Sequence, residues 1–287
     1  MPTIIDGRKI SATIKEEIKQ QVDEMKDAGK RVPHVAIIIV GDDGASHTYV
    51  NGKINACKAV GFDYTLMQFA GTMSETKLLK HVEQLNEDPD IDGFIVQLPL
   101  PEHISVDKVT ESISPAKDVD GFCNENFGSI TSNVPLLMPA TPFGIMELLK
   151  RYNIETEGKN CVIVGASRLV GAPLAMMMSK DAHATVTLCH KYTKDLAAHT
   201  TEADILVVAV GKPDLISADM VKEGAVVIDV GTTRVKDDTK KSGFRLSGDV
   251  KFEEVAEKTS FITPVPGGVG PMTIASLMMN TLQAAQK

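Results

Sequence analysis

Cys161-Val-Ile-Val-Gly-Ala-Ser-Arg-Leu-Val-Gly171 opens as an apolar, largely β-branched run, stops at a glycine, crosses a short turn and meets a second glycine. Pro173 follows, at a position suited to the first turn of a helix. A run of this kind reads as a strand buried on both faces, and such strands belong to parallel sheets covered by helices. Strand, glycine turn and helix in this order form the setting in which phosphate binds at a helix N-terminus. The turn is Gly165-x-Ser-x-x-x-Gly171, one residue longer than G-x-G-x-x-G and with serine at the second glycine. Alone, it suits a plain βα turn equally well.

The pattern continues on both sides. Downstream, Ala184–Cys189, Asp204–Val210, Ala225–Val230 and Phe261–Thr263 read as strands, with Pro173–Ser179 a helix. Upstream, Val35–Val40, Asp63–Phe69 and Ile91–Gln97 read as strands, separated by helices at Ala45–Val60 and from Ser74 to about Leu85. Ile10–Met25 and Phe143–Tyr152 are further helices, and Met272–Gln286 is the last. Strands alternating with helices at this spacing imply parallel pairing with helical crossovers. The expected fold is α/β with two lobes. An N-terminal α/β substrate and catalytic domain, residues 1–140, is completed by the C-terminal helix, 271–287, packing back on it. Residues 141–270 form a Rossmann-like NAD(P)-binding domain, with a cleft expected between the lobes.

Composition narrows the function. The 287 residues are 43% apolar and 24% charged, as in ordinary globular proteins. A net charge of −8 leaves no basic stripe for nucleic acid. The four cysteines, Cys57, Cys123, Cys161 and Cys189, are scattered and read as buried free thiols in a reducing compartment. No histidine spacing suggests a metal site, and neither a signal peptide nor a membrane span is legible, so a cytoplasmic location is expected.

Chemistry-bearing residues gather at strand ends and on one helix. The segment Cys189-His-Lys-Tyr-Thr-Lys194 is basic where an NAD enzyme would carry an acid for the ribose 2′-hydroxyl. Arg168, Lys191 and Lys194 are suited to a 2′-phosphate, which favours NADP over NAD. Tyr49 and Lys53 stand i,i+4 on one helix face. A phenol beside an amine can relay a proton, although a lone helical lysine is ordinarily a solvated surface group. Gln97 falls at the carboxyl end of its strand, where ligands bind parallel sheets. The carboxylates of Asp118-Val-Asp120-Gly121 suit either N–H acceptance from a ring or closure of an Asx turn. Thr263-Pro-Val-Pro-Gly-Gly-Val-Gly-Pro-Met272 is a stiff loop of little bulk that runs into a helix, leaving bare backbone for a flat ligand.

Six motifs together resemble the bacterial bifunctional methylenetetrahydrofolate dehydrogenase/cyclohydrolase family over essentially the whole chain. They are Tyr49-Val-x-x-Lys53, Val96-Gln-Leu-Pro-Leu-Pro101, Asp118-Val-Asp-Gly121, Thr141-Pro-x-Gly144, Gly248-Asp-Val250 and Pro264-Val-Pro-Gly-Gly-Val-Gly-Pro-Met-Thr273. The resemblance implies oxidation of 5,10-methylenetetrahydrofolate to the methenyl form, then hydrolysis to 10-formyltetrahydrofolate, within one-carbon metabolism. It implies that Lys53 is catalytic, Tyr49 stacks on the folate, Gln97 tunes the lysine as a neutral neighbour and Asp120 holds the pterin. Val96, Leu98 and Pro266, Gly267, Gly268, Val269 and Gly270 complete the folate contacts it implies. Gly165, Ala166, Ser167, Arg168, Lys191 and Thr232 are the implied cofactor contacts, and the family is usually a homodimer joined through its cofactor domains.

Four positions depart from the family pattern. Ala166 stands where arginine is usual, which leaves NAD open beside NADP. Asn55 replaces the second lysine of a common pair, Ala140 replaces a cysteine, and Thr232-Thr233 replaces Ile-Asn. A monofunctional dehydrogenase and a non-catalytic dinucleotide-binding homologue are the competing readings. The presence of Lys53, Gln97 and Asp120 argues against both.

Overall fold

The structure is a computed structural model describing residues 2–132, 136–240 and 243–287. The chain opens with β1 (Thr3–Ile4) and α1 (Gly7–Asp27), then enters a first α/β unit spanning Ala12–Ala140 and Ile274–Lys287. Its elements are β2 (His34–Val40), α2 (Gly44–Val60), β3 (Asp63–Phe69), α3 (Glu75–Glu87), β4 (Gly93–Val96), α4 (Val106–Ser112) and α5 (Asn124–Ser129). Six of the seven residues of β2 are buried, because β3 and β4 pair in parallel on its two sides. Ala36, Ile38, Phe94, Leu78 and Val82 form a core between this sheet and α3. Local signals set the helix ends. Asp43 accepts from the Ser46 N–H to start α2, and Gly61, at φ 81°, ends it. Ser74 caps α3.

The strand order β3-β2-β4 means that the chain crosses from one side of β2 to the other. The connections leaving β2 and β4 therefore part at their carboxyl ends, a geometry that opens a binding crevice in α/β sheets.

The second unit comprises the chain up to Ser11 together with Thr141–Thr273. It follows α6 (Ala140–Arg151) with β5 (Asn160–Val164), α7 (Gly171–Lys180), β6 (Thr185–Cys189), α8 (Leu196–Thr200), β7 (Ile205–Val208), β8 (Val226–Asp229), β9 (Thr233–Lys236), β10 (Phe244–Ser247), α9 (Phe252–Ala256), β11 (Phe261–Ile262) and α10 (Val269–Ala285). Six strands pair in parallel in the order β1-β11-β8-β7-β5-β6, with the order reversing between β5 and β7. β7 and β8 are wholly buried, as the apolar runs Ile205–Val208 and Val226–Ile228 predict, with Asp229 closing β8.

Two features differ from the sequence reading. Residues 1–140 were expected in one lobe, but Thr3 and Ile4 pair with Phe261 and Ile262, which places β1 in the six-stranded sheet. A two-residue strand carries too short a pattern to be seen in advance. The β9–β10 hairpin was also not anticipated. It is mostly exposed, and the Arg234 guanidinium lies 4.5 Å from the Phe244 ring centroid, so its apolar residues do not mark a core-facing strand. From Ile274 onward α10 belongs with the first unit, in line with the expected return of the C-terminal helix.

Candidate active site

In the first unit the chemistry lies at the carboxyl end of the sheet. α2 carries Tyr49 and Lys53 on one face, with unequal exposure: Tyr49 is 46% exposed and Lys53 only 6%. A buried ammonium is costly unless paired. Lys53 Nζ meets Asp120 Oδ2 at 3.5 Å, and Asp120 is itself buried. The partners are 67 residues apart in sequence.

Asp118-Val-Asp-Gly121 divides its labour. Asp118 accepts hydrogen bonds from the backbone N–H of Gly121 and Cys123 and from Asn126 Nδ2, at 3.1, 2.8 and 3.1 Å. It closes the turn, and burial raises its pKa despite these donors. Asp120 is left for the lysine, with its carbonyl fixed by the Ala140 N–H at 3.1 Å. Gly121 sits at φ +72°, and a Cβ there would come within 2.6 Å of Pro139 N, so the turn requires glycine.

Gln97 follows β4, and its N–H donates to Ile38 O at 2.8 Å. Its side-chain Nε2 donates to Leu98 O at 2.7 Å, while Oε1 is buried and finds no partner among the described residues. The amine's partner is thus the carboxylate of Asp120, where the sequence reading offered the amide of Gln97. Val96 is buried and Leu98 half-buried beside it. The Cys57 thiol, one turn beyond Lys53, is pushed up to about 12 by burial and is no nucleophile.

The second unit presents backbone rather than side chains. After β5, Gly165 is buried at φ +117°, and Ala166, Ser167 and Arg168 are exposed. Ser167 Oγ accepts from the Val170 N–H at 3.2 Å and stiffens the turn. A Cβ on Gly171 would lie 1.6 Å from Gly165 O, so two stretches of main chain touch where α7 begins. No side chain caps α7 at its first turn. Lys191 is exposed beyond β6, its Nζ 4.9 Å from the Tyr192 ring centroid. Thr232 is exposed after β8.

Sequence reasoning missed the pair that holds these loops. Asp229, at the end of β8, accepts from the N–H groups of Gly231, Asp249 and Val250 at 2.9, 3.0 and 3.0 Å. Asp249 Oδ2 accepts from Val210 and Gly211 at 2.7 and 2.9 Å. Two buried carboxylates thereby fix the turns after β7 and β8. Burial pushes Asp229 up to about 6. The available signal was the Gly248-Asp-Val250 motif, read only as a mark of resemblance.

In the Pro-Gly loop, Gly268 N donates to Pro264 O at 2.8 Å and Arg8 N donates to Gly267 O at 3.1 Å. Thr263 Oγ1 accepts from Asp229 N at 2.7 Å. α10 starts at Val269, earlier than the expected Met272, so Gly270 and Pro271 lie in its first turn. Among the described residues no group of three or more His, Cys, Asp or Glu is placed to hold a metal ion, and no helix is long and apolar enough to cross a membrane.

Residues 5–120 match the family described as tetrahydrofolate dehydrogenase/cyclohydrolase, catalytic domain. Residues 139–287 match tetrahydrofolate dehydrogenase/cyclohydrolase, NAD(P)-binding domain. The chain is 58% identical over 285 residues to the bifunctional protein FolD of Cytophaga hutchinsonii, covering 98% of each chain. Among solved structures it is similar to the bifunctional FolD enzyme of Campylobacter jejuni, with a TM-score of 0.93, 46% identity and coverage of 100% and 99% of the two chains. It is likewise similar to the Trypanosoma brucei FolD complexed with NADP cofactor and inhibitor, with a TM-score of 0.95, 36% identity and coverage of 99% and 97%.

Proposed function

The chain belongs to the tetrahydrofolate dehydrogenase/cyclohydrolase family, and from that premise we propose how its own residues divide the work. It is an NADP-dependent methylenetetrahydrofolate dehydrogenase and a methenyltetrahydrofolate cyclohydrolase.

The second unit fits a dinucleotide. Its main chain comes so close at Gly165 and Gly171 that a methyl group would collide, and the exposed turn from Ala166 to Arg168 would present its backbone to a pyrophosphate. Gly165, Ala166 and Ser167 would meet the phosphates, Arg168 and Lys191 the 2′-phosphate, and Thr232 the nicotinamide side. Ala166 adds no charge, so Arg168 and Lys191 carry the preference for NADP. A dinucleotide held by these residues would supply the oxidant for hydride loss from the methylene carbon.

On the first unit, the exposed ring of Tyr49 stacks on the folate, and Val96 and Leu98 pack beside it. Gln97 offers its unpartnered buried Oε1 to the substrate. Asp120 orients the Lys53 amine and takes N–H bonds from the pterin through its remaining acceptor capacity. In the second unit, Pro266, Gly267, Gly268, Val269 and Gly270 present bare backbone to the folate.

Hydrolysis begins when a water oxygen bonds to the methenyl carbon and its proton passes to Lys53. Asp120, 3.5 Å from the amine, orients Lys53 for this transfer. The bond from N5 to that carbon then breaks, its electron pair and a proton going to N5. Loss of the second water proton leaves the 10-formyl carbonyl, with one proton released overall.

The observation that carries this reading is the buried ion pair of Lys53 with Asp120. Lys53→Met lowers the hydrolysis rate of methenyltetrahydrofolate by about 10²–10⁴-fold, the range of a lost general base. The absorbance of the methenyl substrate follows the reaction, and a wild-type rate in this variant overturns the assignment. We further propose a homodimer in the cytoplasm that acts on tetrahydrofolate one-carbon derivatives and not on nucleic acid. Net charge supports the last point, and light scattering tests the oligomer.

A further inference from the structure

We infer that α10 sets the separation of Lys53 from Asp120, with Asn280 as the positioning residue. The inference rests on the proposed role of that pair. Asn280 is fully buried, and its Nδ2 donates to Val119 O at 2.8 Å and to Met138 O at 2.7 Å. Val119 immediately precedes Asp120, and Met138 lies two residues before Ala140, whose N–H holds Asp120 O. One side-chain amide thus ties together the two stretches of chain that bracket the carboxylate.

The same helix touches the carrier of the amine. A Cβ on Gly52, the residue before Lys53, would lie 3.2 Å from Ile274 Cδ1. Cys57 Sγ, one turn beyond Lys53, stands 4.0 Å from Met278 Sδ. The lysine and the carboxylate are supplied by distant segments, and both segments bear on α10.

The chemistry of Asn280 is itself informative. Its Oδ1 is buried with no partner among the described residues, which costs stability that an apolar side chain of the same size would not. Packing alone gives no reason for an amide here, whereas two donors aimed at the Asp120 loop do. Displacements of an ångström in a reacting constellation cost about 10²-fold in rate, so this support has leverage on the reaction.

The test measures cyclohydrolase kcat and KM, the pH–rate profile and NADP affinity in Asn280→Leu, Gly52→Ala and Gly52→Ala/Ile274→Val. Alanine is a better helix former than glycine, so the second variant folds even where the first does not. Asn280→Leu and Gly52→Ala each lower kcat per folded molecule by about tenfold or more and shift the pH–rate profile. The NADP dissociation constant stays within about twofold, since the dinucleotide contacts lie in the second unit, whereas KM for the methenyl substrate rises where the carboxylate of Asp120 is displaced from the pterin. Ile274→Val removes the methyl group on which the Cβ added by Gly52→Ala would press, and restores the rate.

Unchanged kcat and pH profile in Gly52→Ala and in folded Asn280→Leu overturn the inference, as does a Gly52→Ala loss that Ile274→Val fails to relieve. Lys53→Met separates the two levels. If it abolishes hydrolysis while the α10 variants behave as wild type, the positioning role alone falls. If it leaves hydrolysis intact, the underlying reading falls first.

Discussion

The two units share a topology and use it in opposite ways. Each places its functional loops where the strand order of a parallel sheet reverses, at β2 and β4 in one and at β5 and β7 in the other. The first unit fills that place with a dry charged pair, Lys53 and Asp120, both nearly inaccessible. The second builds it from main chain: Gly165 and Gly171 bring backbone together, and the exposed residues of the turn between them are Ala166, Ser167, Arg168 and Leu169, with one charge among them. Proton transfer needs a group whose surroundings are fixed and dehydrated. Phosphate binding needs bare N–H groups and room. One architecture serves both because the sheet supplies the location and the loop supplies the chemistry.

The contrast breaks most readily at its backbone side. Gly171→Ala puts a methyl group into Gly165 O and forces the turn apart, so NADP affinity falls by about 100-fold or more, read by titration of the bound dinucleotide. Methenyl hydrolysis measured without dinucleotide stays near wild type. A parallel loss of both activities would show that the two regions are not separable in this way.

A second comparison sets Asp229 against Asp120. Asp120 has a cation within reach, while Asp229 is held by backbone N–H groups with Asp249 nearby. Burial raises Asp229 to about 6, so the folded state binds its proton more tightly than the unfolded chain does. Its contribution to stability is therefore present below pH 4, falls as pH climbs toward 6 and is constant above. The total change is about 3 kcal/mol. Asp229→Asn removes that slope, which melting temperatures between pH 4 and 8 record. Parallel curves for the two proteins refute the assignment.

The smallest effect sharpens the cofactor choice. Lys191→Ala weakens NADP binding by about tenfold and leaves NAD binding unchanged, as the loss of one exposed phosphate contact predicts. An equal loss for both cofactors would place Lys191 away from the 2′-phosphate.

Much of the fold was legible because the long strands advertise themselves. Asp63–Phe69 was read with its observed limits, and β2, β5, β7 and β8 are apolar runs with glycine or basic punctuation. β1 was not legible, since two residues carry no period, and the β9–β10 hairpin hid its pairing behind exposed charges. At the site, Tyr49 and Lys53 follow from helical spacing, but the partner of Lys53 does not. A contact across 67 residues leaves no local trace, and both Asp118 and Asp120 were open to either role. The carboxylates under the cofactor loops were hidden for a like reason: apart from Gly231, the backbone N–H groups they accept from lie 20 to 39 residues away along the chain.

The placement of β1 bears on how the chain is made. β1 pairs with Phe261 and Ile262, far along the chain, and the first unit likewise takes its last helix from Ile274 onward. The second unit cannot close before Phe261 and Ile262 have been made, nor the first before the helix from Ile274 onward. The nascent protein must wait, with sheet edges unsealed, until those residues have emerged.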